Sequence, residues 1–301
     1  MIQDKSTISG KEKMIFIINP ASGTIKTGNI ESLIENHFKS PTYTPEIIRT
    51  RYKGHATKIA RKSIKNGIRI IVAVGGDGTI NEIASELVGK NAILGIIPNG
   101  SGNGLARHLG IPLKKEPALD LLNSGKVKRI DSGKVNKRFF FCTCGTGFDA
   151  RVGKKFDKLT GRGFLNYIKT VIREFVTYQP KKYKIRIDGK KIKKRAFLVT
   201  IANAGQYGNN AYIAPGAKID DGLLDICIFR PFPGFKSIIL GLRLFSRTID
   251  KSKYVDVYQG RQVIIQRDKK INMHLDGEPV RMKNHVRVSI VPRSLAVVVP
   301  G

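Results

Sequence analysis

The chain has 301 residues, 41% of them hydrophobic, which is enough for two domains with ordinary hydrophobic cores. Lysine and arginine number 54 against 23 acidic residues, and the net charge of +31 predicts an anionic partner such as a nucleotide, a membrane surface or nucleic acid. Three cysteines are too few for a disulfide framework, and no apolar run reaches the length of about 18 residues that a membrane-spanning helix needs.

Strands and helices alternate along the first part of the chain. Residues 1–13 are polar and unlike a signal peptide, so we expect a cytosolic protein. The apolar periodicity then predicts, in chain order, strand 14–19, helix 30–38, strand 45–50, helix 56–66, strand 70–74, a helix from Ile80 and strand 93–97. This alternation predicts a parallel sheet, with the loops at the carboxyl ends of its strands gathered into one ligand crevice.

Three of these strands end in loops rich in glycine and asparagine. The loops are Asn19-Pro20-Ala21-Ser22-Gly23, Gly75-Gly76-Asp77-Gly78 and Pro98-Asn99-Gly100-Ser101-Gly102-Asn103-Gly104. Glycines let the backbone approach a ligand closely, and the N–H groups that begin the following helix would face an anion. Asp77 fits a phosphate site if a metal ion, a water or a sugar hydroxyl lies between them. The alternative is a simple turn in which Asp77 caps the helix.

Several common motifs are absent. No Walker A sequence occurs, and residues 100–104 do not form the dinucleotide-binding G-x-G-x-x-G. Ser101 is not the nucleophile of a G-x-S-x-G elbow, because Asn99 stands at the first glycine position. The sequence therefore predicts a phosphate site built from glycine-rich turns and separate carboxylates.

After about residue 130 the alternation of strands and helices gives way to strands. Beyond a helix at 162–178, the predicted strands are 139–146, 183–187, 191–204, 223–229, 254–258, 263–266, 271–275 and 285–291. Asp188-Gly189 predicts a type I′ hairpin. The fold class is therefore α/β, with a parallel-sheet domain followed by a mainly antiparallel domain and a boundary near Asp131.

The three loops, in this order, resemble the diacylglycerol kinase catalytic-domain family, which includes bacterial soluble lipid kinases, sphingosine kinases and ceramide kinases. The likeness continues through Gly147-Phe148-Asp149-Ala150, Asp220–Asp225 and Asp276-Gly277-Glu278, so it covers nearly the whole chain. It implies an ATP-binding α/β domain at residues 1–131 and a β-sandwich lipid-binding domain at 132–292. Residues 293–301 could return to the first domain.

The resemblance also implies roles for individual residues. The implied ATP site comprises Asn19, Pro20, Ala21, Ser22, Gly23, Thr50, Gly75, Gly76, Asp77, Gly78, Thr79, Ile80, Asn81, Glu82 and Ser101. Asp276 and Glu278 are the implied acidic pair at the transfer site. The family favours Glu278 as the proton acceptor, although Asp276-Gly277 could be only a hairpin turn. The Asp221 carboxylate and the carbonyls of Lys218 and Leu223 would bind a structural Mg²⁺, unless this segment is also a plain turn.

These features together predict an ATP- and Mg²⁺-dependent lipid kinase of phospholipid biosynthesis. We expect it to be cytoplasmic, peripherally bound to an anionic membrane, and without a specific nucleic-acid partner; a homodimer is compatible with the sequence. Ser101 and Gly104 replace the Thr and Asp of many bacterial members, so a sphingoid-base or ceramide kinase is an alternative. A basic nucleic-acid-binding protein would explain the charge of +31 but not the three loops.

Two further features have alternative interpretations. Nine of the fifteen residues from Lys181 to Arg195 are Lys or Arg, and strand alternation places Lys182, Lys184 and Arg186 on one face. That face could dock on acidic lipid headgroups, or it could be a solvated sheet edge. Asp149 could orient an acceptor hydroxyl or cap a helix.

Overall fold

The computed structural model describes residues 12–23, 28–156, 173–175 and 177–301, so most of the helix predicted at 162–178 lies outside the described residues. The first part of the chain contains β1 Glu12–Ile18, α1 Gly28–His37, β2 Tyr43–Arg49, α2 His55–Lys65, β3 Ile70–Gly75, α3 Asp77–Leu87, β4 Ile93–Pro98, α4 Gly104–His108 and α5 Lys115–Ser124. No described helix is long and apolar enough to cross a bilayer.

The second part of the chain consists mainly of strands. They are β5 Lys126–Val135, β6 Arg138–Phe140, β7 Thr143–Gly147, β8 Lys181–Ile187, β9 Lys190–Ala196, β10 Leu198–Ala202, β11 Gln206–Gly208, β12 Ala211–Tyr212, β13 Leu224–Phe229, β14 Val255–Gly260, β15 Gln262–Gln266, β16 Ile271–Leu275, β17 Glu278–Met282 and β18 His285–Val299. The described helices here are α6 Phe148–Phe156 and α7 Ser237–Phe245, with single 3₁₀ turns at Gly234–Lys236 and Ile249–Lys251.

A parallel sheet lies at the centre of the first part, as predicted. Its strands lie in the order β2-β1-β3-β4, and β1, β3 and β4 consist almost entirely of buried residues. The chain passes from β1 outward to β2 and then returns to β3 on the other side of β1. Strand order therefore reverses between β1 and β3, and the crevice beyond the carboxyl ends of such strands is the usual ligand site of α/β folds.

The last strand joins the two parts of the chain. Near its end, Ala296 and Val297 of β18 pair in parallel with β4, whereas the beginning of β18 pairs antiparallel with β15. Strands β8 and β9 continue outward from β15, so the main sheet has ten strands and runs across the boundary predicted near Asp131. The division into domains at that residue stays a prediction.

A second, six-stranded sheet has the order β14-β13-β10-β7-β16-β17 and is antiparallel throughout, which confirms the predicted antiparallel part of the fold. One face packs on the main sheet, where Ile185 and Val263 share a buried cluster with Ile226 of the second sheet. The opposite face packs against α6 and α7 through Phe148 and Leu240. Helices α6 and α7 therefore lie on the outer side of the second sheet.

The basic hairpin has the predicted type I′ turn, with φ of 44° at Asp188 and 88° at Gly189. Its register places Lys184 opposite Lys193 and Arg186 opposite Lys191, with all four residues exposed. Like charges directly opposite one another destabilise a strand pair. This face is the outer side of the main sheet, because the alternate residues of β8 are buried between the sheets.

Two predicted strands are each divided in the structure. The segment 191–204 forms β9 in the main sheet and β10 in the second sheet, because the chain crosses between sheets at Phe197. The segment 139–146 is interrupted between β6 and β7. There the N–H groups of residues 141–143 donate to the Asp276 carboxylate instead of to a neighbouring strand.

Candidate active site

Asparagine side chains join the three glycine-rich loops at the carboxyl edge of the parallel sheet. Asn19 Nδ2 donates to Thr79 Oγ1 at 2.9 Å, and Asn19 Oδ1 accepts from the Ala21 N–H at 3.0 Å. Asn99 Nδ2 donates to the carbonyl of Ser22 at 3.0 Å. The loops after β1, β3 and β4 are therefore held together by side chains that follow the strand ends.

The second and third loops approach each other closely at two glycines of the third loop. A Cβ atom on Gly100 would lie 2.6 Å from the Cα of Gly76, and a Cβ on Gly102 would lie 2.7 Å from Asp77 Oδ2. Contacts this short exclude any side chain without movement of the loops. The glycines at these positions are thus required by the approach of one loop to the other, in addition to any approach of a ligand.

Asp77 connects the second and third loops. Its Oδ2 accepts the Asn103 N–H at 2.9 Å, and its Oδ1 accepts the Gly104 N–H at 2.7 Å, where α4 begins. Burial raises the pKa of the Asp77 carboxyl, while the N–H of Gly104 opposes that rise by stabilising the ionised form. The Asp77 carboxylate thus fixes the third loop to α3. Its predicted contact with phosphates through a cation stays a prediction.

Several residues of the predicted ATP site have side chains that face the protein. Ile80 is 2% exposed and lies in the core, and Glu82 Oε1 accepts the Gly54 N–H at 2.9 Å. Thr50 is also buried, at the end of β2. The side chains of these three residues support the crevice from inside the protein. The members of the predicted set that are exposed at its surface are Pro20, Ala21, Gly23, Gly78 and Ser101.

Asp276 is fully surrounded by hydrogen-bond donors. Its Oδ2 accepts from Asn81 Nδ2 and the Phe141 N–H, each at 2.8 Å. Its Oδ1 accepts from the N–H groups of Cys142 at 2.8 Å and Thr143 at 3.0 Å. Two acceptor positions on each oxygen are thereby filled, so the carboxylate has none free for a substrate proton. Burial raises the pKa of Asp276, and these donors act against the rise.

The predicted pair of carboxylates is therefore divided into two roles. Asp276 links α3 to the strands of the second part, and its four accepted hydrogen bonds favour Glu278 as the proton acceptor, an assignment that stays a prediction. Glu278, two residues later, has a side chain 48% exposed that forms an ion pair with Lys53 from the loop after β2. Lys53 was not predicted, because nothing in the sequence distinguishes it among 54 basic residues.

A cleft of about 290 Å³ lies beside Glu278. Phe139, Leu275 and Val280 give it apolar lining, whereas Lys137 and Arg138 bring positive charge. Asn81 of α3 also lines the cleft, so this space lies between the helix that follows the second glycine-rich loop and the second sheet. A cleft with an apolar wall, a carboxylate and nearby cations suits a molecule with both a hydrocarbon part and a polar group.

A polar cluster around Asp149 was only partly predicted. Asp149 Oδ2 lies 3.0 Å from His274 Nε2, and it accepts from the Tyr207 and Thr200 hydroxyls at 3.2 Å each. His274 Nδ1 is buried and has no partner among the described residues. The cluster lies on the outer side of the second sheet, beneath α6. Asp149 Oδ1 in addition accepts the Ala150 N–H at 2.7 Å in the first turn of α6, so both carboxylate oxygens have partners within the protein.

The turn predicted to hold a structural Mg²⁺ is compact. Asp221 Oδ1 accepts the Leu223 N–H at 2.9 Å, while the neighbouring Asp220 forms an ion pair with Lys128 at 2.9 Å. Across the described parts of the chain, no three His, Cys, Asp or Glu side chains are grouped so as to bind a metal ion. A cation at this turn would therefore depend on Asp221 Oδ2, main-chain carbonyls such as that of Lys218, and water, a donor set that Mg²⁺ accepts.

Comparison with known proteins gives two family matches. Residues 13–135 match the diacylglycerol kinase catalytic domain, and residues 142–299 match the YegS C-terminal NAD kinase beta sandwich-like domain. A protein from Enterobacter sp. (strain 638), described as "Probable lipid kinase YegS-like", is 31% identical over 81% of this chain and 82% of its own length. A relative of the same description from Chromohalobacter salexigens is 29% identical over 82% of this chain and 81% of its own.

Solved structures from Bacillus anthracis str. Sterne share the fold. One superposes with a TM-score of 0.79 at 23% identity, over 96% of this chain and 97% of the other. Another, described as a diacylglycerol kinase, superposes with a TM-score of 0.72 at 21% identity over the same shares. At these identities the likeness establishes the arrangement of strands and helices in both parts of the chain.

Proposed function

The chain belongs to the YegS-like lipid kinases with a diacylglycerol kinase catalytic domain, and on that premise we propose that it phosphorylates diacylglycerol or a related lipid with ATP. The product would be phosphatidic acid or an analogue. The observation that supports this function best is the cleft in which the exposed Glu278 carboxylate adjoins both an apolar wall and α3, the helix that follows the second glycine-rich loop.

The three loops would bind the nucleotide. Exposed backbone at Gly23, Gly78 and Ser101 lies where phosphates can approach without side chains in the way. Mg²⁺ carried by the nucleotide would neutralise phosphate charge during transfer. Asp221, with the carbonyls of Lys218 and Leu223, would hold a separate structural Mg²⁺.

Glu278 would accept the proton of the lipid hydroxyl. As the hydroxyl oxygen forms its bond to the γ-phosphorus, the bond from that phosphorus to the bridging oxygen of ADP breaks. The hydroxyl proton passes to the Glu278 carboxylate, and ADP leaves with the electron pair of the broken bond. Lys53 contacts the same carboxylate from the loop after β2, so it would fix the base relative to the nucleotide-binding edge.

The charge of the cleft bears on the choice of acceptor. Lys137 and Arg138 line it, Glu278 is balanced by Lys53, and the second carboxylate of the lining, Glu86, is paired with Arg61. A sphingoid base carries an ammonium group that these cations would repel, whereas diacylglycerol and ceramide are neutral. The charge of the cleft therefore favours a neutral acceptor over a sphingoid base. We propose diacylglycerol, and ceramide is the alternative that Ser101 and Gly104 of the third loop favour. We also propose that the protein meets its lipid at an anionic membrane surface.

The acceptor is tested with a lipid panel. Purified protein is incubated with γ-labelled ATP and detergent-dispersed diacylglycerol, monoacylglycerol, ceramide or sphingosine, and labelled lipids are separated. Diacylglycerol should carry the most label, and sphingosine the least. Greatest transfer to sphingosine would reject the charge argument. Absence of label in every lipid, together with salt-dependent RNA binding, would favour the nucleic-acid alternative.

Replacing Asp77 with asparagine should loosen the third loop. The amide can accept only one of the two N–H groups that the carboxylate now accepts, and losing a hydrogen bond to a charged group costs about 1.5–3 kcal/mol. We expect ATP affinity to fall ~10- to 100-fold. Nucleotide titration measures it, with Asp268→Asn as a control at an exposed aspartate. Wild-type affinity in Asp77→Asn would show that the loop is held by other contacts.

A further inference from the structure

Five large apolar side chains stand exposed around α7. Phe235 and Ile238 are each 72% exposed, Leu242 is 65% exposed, and Phe245 and Ile239 are about half exposed. We call these five residues the apolar ridge. Contiguous exposed apolar surface of this kind is uncommon on a soluble protein and marks a contact surface.

The ridge is a continuous stripe on the side of α7 that faces away from the protein. Its members follow the spacing of three and four residues that puts side chains on one helix face. Leu240, on the opposite side, is 5% exposed and packs against the second sheet. The packing of α7 on the protein therefore depends on Leu240, and the ridge contributes little to it.

Basic residues flank the ridge in the sequence. Between Arg230 and Lys253 the sequence has six Lys or Arg residues and a single acidic residue, Asp250. Arg247 is exposed, and Lys236 and Arg243 are partly exposed at the helix itself. An apolar helix face bordered by cations matches an anionic bilayer, which offers acyl chains beneath negative headgroups.

We propose that the apolar ridge inserts into the headgroup layer of an anionic membrane and docks the protein there. The inference deepens the proposed function, since it names the surface through which a lipid kinase would reach its substrate. Helix α6 lies on the same outer side of the second sheet as α7. A Cβ on Gly153 of α6 would lie 3.7 Å from the carbonyl of Gly277, next to Glu278. A membrane on this side would therefore adjoin the turn that carries the base.

The ridge and the basic hairpin cannot both rest on one flat membrane. The hairpin cations are on the outer side of the main sheet, and α7 is on the outer side of the second sheet. The two surfaces thus face in opposite directions across the packed sheets. We choose the ridge as the docking surface because it exposes large apolar side chains that can enter a bilayer, whereas the hairpin face exposes none.

Vesicle co-sedimentation tests the proposal. The vesicles contain phosphatidylglycerol and phosphatidylcholine, or phosphatidylcholine alone. The ridge variant is Ile238→Asn with Leu242→Asn. A matched control, Leu113→Asn with Val127→Asn, changes apolar residues exposed elsewhere, and Lys184→Gln with Lys193→Gln changes the hairpin. Transfer activity on detergent-dispersed lipid and sedimentation velocity are measured for each protein.

We expect the ridge variant to lose ~10-fold or more of its partition onto anionic vesicles, with the control and hairpin variants retaining most of theirs. Activity in detergent should be unchanged. Wild-type partition in the ridge variant, or loss confined to the hairpin variant, would overturn the proposal. A wild-type dimer that the ridge variant converts to monomer, with equal vesicle binding, would assign the ridge to a second copy. Failure of the kinase function would appear separately, as no transfer by the wild type in detergent.

Discussion

Replacement of Glu278 with glutamine is expected to lower kcat by ~10²–10⁴-fold, the range for loss of a general base. Glutamine keeps the size of the side chain but cannot take the hydroxyl proton. Because Glu278 is partly exposed and its ion pair with Lys53 joins two surface side chains, the fold should be unaffected. Nucleotide affinity should also be retained, since the loops that form the crevice do not include this residue.

Steady-state kinetics and nucleotide titration of Glu278→Gln test this expectation. Glu116→Gln is a matched control, because Glu116 is an exposed glutamate of α5 away from the cleft. A kcat near that of the wild type would mean that another group accepts the proton. A loss of ATP affinity large enough to explain the lower rate would instead place Glu278 in the nucleotide site.

Replacement of Asp276 with asparagine is expected to reduce the free energy of unfolding by about 3–5 kcal/mol. The carboxylate accepts four hydrogen bonds at a partly buried residue. An amide of the same shape retains one oxygen, and its NH₂ group would face N–H donors that then have no acceptor. The residues that lose contact are those that interrupt the strand between β6 and β7, so the damage should extend to the cleft.

Denaturant unfolding of Asp276→Asn measures this effect. Asp188→Asn is the control, because Asp188 also lies in a hairpin turn and accepts two backbone N–H groups, but at an exposed position. The control should lose much less stability. Equal unfolding midpoints for the wild type and Asp276→Asn would show that burial of this carboxylate does not stabilise the protein.

Much of the fold follows from local sequence signals. The apolar runs that form β1, β3 and β4 each end at a glycine-rich loop, and parallel strands necessarily gather those loops at one edge. Likewise, the hairpin turn could be predicted because a type I′ turn needs positive φ angles at both central residues, and Asp188-Gly189 is a pair that adopts them. Such features depend on neighbours in the sequence, so they can be predicted without knowledge of the tertiary structure.

The different environments of the Asp276 and Glu278 carboxylates could not be predicted from local sequence signals. Asp276 and Glu278 are two residues apart, yet one is enclosed by the Phe141–Thr143 backbone and the other faces solvent. The partners of Asp276 are 135, 134 and 133 residues away in the sequence. Similarly, Lys53 meets Glu278 across 225 residues. Contacts of this range depend on how the sheets pack.

Helix α7 shows that the spacing of apolar residues does not by itself predict which face of a helix is buried. Apolar residues at helical spacing ordinarily indicate a buried face, and in α7 most of them are exposed. Which face packs on the second sheet is decided by Leu240 and the surrounding aromatic side chains. The sequence thus contains the pattern of the apolar ridge but does not show that it faces outward.

A single-turnover experiment tests the central claim most directly. The protein, in excess over γ-labelled ATP, is mixed with detergent-dispersed diacylglycerol, and label in phosphatidic acid is followed over time for the wild type and Glu278→Gln. The account predicts that the wild type transfers the label and that the rate in the variant is reduced by at least ~10²-fold. Both proteins should bind equal amounts of ATP before the lipid is added. Equal rates in the two proteins, or no label in lipid from the wild type, would contradict it.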